Sequence, residues 1–165
     1  MNLTILALQC SIFSMSPLFT KAQILNIRKS SFSYFISPLI YNVFGKIEHS
    51  SFINGLSSLV IIENDGTNPI NKVLASGESF EFKGNSISAY SNQSPIISIT
   101  ANPGALGISI SQNSFLNCKS DDSNGLIIIS SQAKTTFTHN CFISSYSNGA
   151  STLCINSPGQ ISFVT

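Results

Sequence analysis

Charge is scarce in this chain of 165 residues: 9% are Asp, Glu, Lys or Arg, and the net charge is +1. So few cations exclude a nucleic-acid binder, which must neutralise phosphates, and also a polybasic anchor at a membrane surface. Arg28 is the sole arginine and tryptophan is absent. His49 and His139 are the two histidines, and the cysteines are Cys10, Cys118, Cys141 and Cys154. Zinc sites want Cys or His paired with two to four residues between them, and no such pair occurs. The cysteines share no repeat position, so no disulfide framework can be read from them. A G-x-S-x-G nucleophile elbow and a glycine-rich phosphate loop are both missing. Helical periodicity is also missing beyond the first turns, so everything after about residue 23 reads as strand and turn.

What the chain does have is one phrase written five times: LNIRKSSF (25–32), GKIEHSSF (45–52), FEFKGNSI (80–87), ISISQNSF (108–115) and TTFTHNCF (135–142). With the last residue as position zero, that slot holds Phe32, Phe52, Ile87, Phe115 and Phe142. Position −5 is always apolar (Ile27, Ile47, Phe82, Ile110, Phe137), and −6 and −4 are always polar. Such alternation is the period of a strand with one buried face. Because −5 and zero differ by an odd number, the chain must bend between them for both to point inward. The Ser and Asn residues at −2 suit a bend, since their side chains bond nearby backbone groups.

Successive phrases are 20, 35, 28 and 27 residues apart. A period in this range, carried by short strands, predicts an all-β solenoid, a parallel β-helix of about five to six coils. Equivalent slots then stack at about 4.8 Å, Phe over Phe and Asn over Asn. The runs at 57–62, 95–100, 125–130 and 151–156 are expected to form a third face, and the turn-rich run at 63–72 to be an insertion, which costs little when it lies in a loop. Ile161 and Phe163 match positions −7 and −5 of a sixth phrase that the chain does not complete. A fragment of a larger surface protein is therefore expected, with the C-terminal end of the solenoid uncapped and met by further coils or by a partner chain. Residues 1–22 are read as a secretory leader or an N-terminal cap, and 23–165 as the repeat domain.

Several tempting residues have plainer readings. His49 and His139 share position −3, three coils and so about 14 Å apart, too far to share a ligand. Asp121 and Asp122 are the only adjacent carboxylates, and a glycosidase needs two carboxyl groups flanking a sugar bond, but they lie among turn formers in KSDDSNG, and Asp65 lies in ENDGTN. Asn92-Gln93-Ser94 is a glycosylation sequon; Asn2-Leu3-Thr4 would be lost with a leader. No catalytic, cofactor-binding or metal-binding residue is nominated, and no cofactor is expected.

The stretches GALGISISQNSFLNC (104–118) and NGASTLCIN (148–156) resemble the repeats of chlamydial polymorphic outer membrane proteins. More broadly, 24–165 is similar to right-handed parallel β-helices of the pectin-lyase-like group. The resemblance implies a secreted or cell-surface protein with adhesive, display or structural duties. Its partner would be a host or extracellular glycan or protein, and no nucleic acid. The alternative is a carbohydrate-active enzyme, a polysaccharide lyase or hydrolase or a degenerate relative of one, because this solenoid commonly hosts such enzymes. A lyase of this kind would gather carboxylates for calcium and a basic residue on one face of adjacent coils. Arg28 at an outward −4 slot and acidic residues spread along the chain do not supply that grouping.

Overall fold

The computed structural model describes residues 2–11, 17–20, 24–62, 76–121, 125–148, 152–156 and 161–164. The insertion at 63–72, Asp65 and Asp122 lie outside the described residues. Among those described there is no helix, and every strand pairing is parallel, as expected of repeats that lay each strand beside its own copy.

The first sheet takes the opening half of each phrase. Asn2–Leu6, Ile24–Arg28, Gly45–Glu48, Ser79–Lys83, Gly107–Ser111, Thr135–Thr138 and Ile161–Val164 follow one another in order. The second sheet takes the closing half: Gln9–Ser11, Ser31–Ser33, Ser51–Ile53, Ser86–Ser88, Ser114–Leu116 and Cys141–Ile143. A short third sheet joins Ser91–Asn92, Lys119–Ser120 and Tyr146–Ser147. The fourth joins Ile40–Tyr41, Val60–Ile62, Ile97–Ala101, Ile127–Ser131 and Leu153–Asn156, of which the last four overlap the runs expected to form a third face. Stacked parallel sheets of this kind are consistent with a β-solenoid.

Register follows the phrase. Phe32 pairs with Phe52, Phe52 with Ile87, Ile87 with Phe115, and Phe115 with Phe142. The rings of Phe32 and Phe52 stack at 5.6 Å and those of Phe115 and Phe142 at 4.6 Å, so the closing aromatics form one interior column. Ile27, Ile47, Phe82, Ile110 and Phe137 make a second buried column beside it. Each such side chain withdrawn from water contributes about 1.5–3 kcal/mol, and the repetition makes one continuous core. The sixth-phrase match also holds in register, with Thr135 opposite Ile161 and Phe137 opposite Phe163.

The bend is made by a single left-handed residue. Position −3 has φ of 49° at Lys29, 50° at His49, 66° at Gly84, 58° at Gln112 and 52° at His139. Position +2 repeats the device at Tyr34, Asn54, Ala89, Asn117 and Ser144. This conformation costs a non-glycine residue about 1–2 kcal/mol. Inter-rung bonds offset it: His49 N–H donates to Lys83 O at 3.0 Å, and Gln112 N–H to Thr138 O at 3.0 Å.

The Ser and Asn side chains at position −2 turn inward. Ser30, Ser50, Asn85 and Asn113 are buried. Ser50 Oγ accepts from Ser30 N, Asn85 Oδ1 from Ser50 N, Asn113 Oδ1 from Asn85 N, and Asn140 Oδ1 from Asn113 N, at 2.9–3.2 Å. The left-handed residue exposes the next N–H to the interior, where water cannot reach it, and a short side-chain oxygen from the following rung satisfies it.

Residues 2–11 lie in the same pattern. Asn2–Leu6 pairs with Ile24–Arg28, Gln9–Ser11 with Ser31–Ser33, and Ala7 has φ 55° at the −3 equivalent.

Candidate functional site

The outward positions of the first sheet collect charges that the sequence scatters. At −4, Arg28 lies opposite Glu48 and Glu48 opposite Lys83; at −6, Lys46 lies opposite Glu81. Arg28 Nε reaches Glu48 Oε2 at 2.6 Å, and Lys46 Nζ reaches Glu81 Oε2 at 2.7 Å. The Lys46 ammonium is held above its usual range, first by its hydrogen bond to Glu81 and then by that carboxylate's charge. These pairs are partly solvated and contribute at most about 1 kcal/mol each, so they fix side-chain placement more than stability. Arg28 is thus the partner of a carboxylate and not an isolated base. The clue was available: the paired residues occupy identical slots in consecutive phrases.

Further along this sheet the outward columns turn to hydroxyls, Ser109 and Ser111 and then Thr136 and Thr138. Here a shallow groove of ≈ 270 Å³ crosses the strands, lined by Lys46, Ser79, Glu81, Ser109, Lys134 and Thr136. Leu106, exposed on the preceding turn, forms one wall, and Gly107 lies in the floor. A second hollow, of ≈ 520 Å³, lies on the outer side of the second sheet beside Ser31, Ser33, Tyr34 and Asn54.

The remaining candidates do not converge. His49 and His139 are both exposed at −3 corners, and the His49 ring lies over the bare Cα of Gly84 in the next rung. Asp121 is exposed, with its carboxylate 3.3 Å from Lys119 Nζ and bonded by Asn148 Nδ2. Cys118 is buried, its thiol pushed up by that burial, while Cys141 is exposed; all four cysteines are free. Among the described residues no group of three His, Cys, Asp or Glu is placed to hold a metal ion. Asn92 of the sequon turns its amide inward: Oδ1 accepts from Gln93 N at 2.8 Å, and Nδ2 is buried. Transfer of a glycan needs that nitrogen exposed, so the folded chain does not offer it.

No family model, curated protein or solved structure matches this chain.

Proposed function

We propose that this chain is a non-catalytic, secreted or cell-surface β-helix used for adhesion, display or structural support. In this reading the winding is right-handed, of the pectin-lyase-like style, with repeats akin to those of chlamydial polymorphic outer membrane proteins. The observation that supports it is the outer side of the second sheet. Ser31, Ser51, Ser86 and Ser114 stand there in register, one per rung. A long, regular, weakly charged face suits many modest contacts distributed along an axis, whereas catalysis needs acid, base and substrate gathered at one point. The pairing of Asn2–Leu6 and Gln9–Ser11 onto the first phrase favours the cap reading of residues 1–22 over a removed leader.

The test is labelling of intact source cells with a membrane-impermeant amine reagent, with mass spectrometry of the protein's amino terminus. Tagging of the chain on unbroken cells is expected. Recovery from the cytosol alone would defeat the proposal, and a terminus near residue 23 would restore the leader.

A further inference from the structure

We propose that the groove over Gly107 is a binding site for a ligand that carries one carboxylate and a short apolar arm. This goes beyond surface display and does not depend on it. Three features of the groove converge. The first is room. Outward positions along this edge carry Ser79 and, two rungs on, Lys134, but Gly107 stands in the rung between them without a side chain. Its φ of +149° is glycine territory, and a Cβ there would sit 2.9 Å from the Lys134 carbonyl oxygen, so the gap is built into the backbone.

The second feature is charge. Glu81 is matched by Lys46 at 2.7 Å. Among the described residues no carboxylate lies within ion-pair distance of Lys134, so the lining holds two ammonium groups against one carboxylate. That balance calls for a monoanion; a second negative charge would meet Glu81. The third is the wall chemistry. The hydroxyls of Ser109 and Thr136 can donate to a carboxylate or bond a ligand hydroxyl, and Leu106, 70% exposed, offers the apolar contact. An open groove with one free cation predicts weak binding, with a Kd of about 1–10 mM.

The probe is 3-hydroxybutyrate, titrated into the isotope-labelled chain and followed by NMR. Saturable shifts are expected at Leu106, Ser109 and Thr136. Lys134→Gln should weaken binding about five- to tenfold and Lys134→Arg should restore most of it, because the charge-assisted contact is the anchor. The neutral 3-hydroxybutyramide should bind weakly or not at all, and succinate should bind less well than the monoanion. No saturable shift below about 50 mM would overturn the proposal, since that limit lies beyond the expected range. Equal binding of the amide, or shifts unchanged in Lys134→Gln, would overturn it as well. None of these outcomes bears on the cell-surface labelling, so the two ideas fail separately.

Discussion

Asn113 donates both its backbone N–H and its side-chain Nδ2 to Oδ1 of Asn140, at 3.1 and 2.8 Å. Two donors on one residue thus converge on one oxygen in the next rung. Asn113 also donates Nδ2 to Phe82 O at 2.9 Å, reaching back to the preceding rung. One amide therefore ties the strand Ser79–Lys83 to the bends of the two rungs that follow it.

Replacing Asn113 with Ala should cost about 2–3 kcal/mol, because the buried Asn85 N–H would lose its acceptor and the side-chain bonds to Phe82 O and Asn140 would go with it. Asn113→Ser should cost less, since Ser50 shows that a hydroxyl can cap the N–H of the rung before it, at 3.2 Å. Urea unfolding measures both. Equal stability of the Ala variant and the parent would show that the ladder is incidental.

Gly55 sits between the rings of Phe35 and Tyr90, whose centroids are 6.2 Å apart. A Cβ there would lie 2.4 Å from Phe35 Cζ and 2.6 Å from Tyr90 Cε2. Gly55→Ala should destabilise by about 1–3 kcal/mol through overpacking. Adding Phe35→Leu should recover part of that loss, because the two changes share one volume. Thermal melting of the single and double variants tests the coupling, and strict additivity would refute it.

Burial raises the phenol of Tyr90 well above its ordinary value of 10.0 and lifts the Cys118 thiol above 9.0. The folded state therefore keeps protons that the unfolded chain releases. Stability should be level below about pH 8 and fall as pH rises through the unfolded values, first for the thiol and then for the phenol. Asn92 lies beside the phenol and opposes the rise, yet the Tyr90 hydroxyl forms no hydrogen bond of ordinary geometry. Tyr90→Phe should thus be neutral or stabilising at neutral pH and should flatten the alkaline decline. A urea midpoint insensitive to pH up to about 11 would contradict the assignment.

Thiol accessibility gives a direct check of the rung positions. Cys141 is exposed and Cys118 is buried. Iodoacetamide should modify Cys141 in the native protein and reach Cys118 only after unfolding, since the reactive species is the thiolate and access is required. Peptide mass spectrometry before and after denaturation separates the two. Rapid native labelling of Cys118 would place the +3 column on the outside.

Much of the architecture was legible because it is periodic. The Phe column, the strand runs of the fourth sheet and the pairing of Ile161 and Phe163 all follow from matching slots. The first rung was hidden because Leu6 and Leu8 fall where every later phrase is polar. Identity alone did not reveal that Ser50 and Asn85 point inward: a polar residue at a bend is ordinary on a surface, and its burial depends on the neighbouring rung offering an N–H to satisfy.

The order of residues along the chain determined which positions are equivalent, because alternation and a fixed apolar set are properties of a strand and can be read locally. Stacking decided everything that depends on the neighbour above or below: the asparagine ladder, the Arg28–Glu48 and Lys46–Glu81 pairs, and the ring contacts closed over Gly55. Those contacts join residues 20 or more positions apart, and their geometry exists only once parallel rungs bring the copies into register.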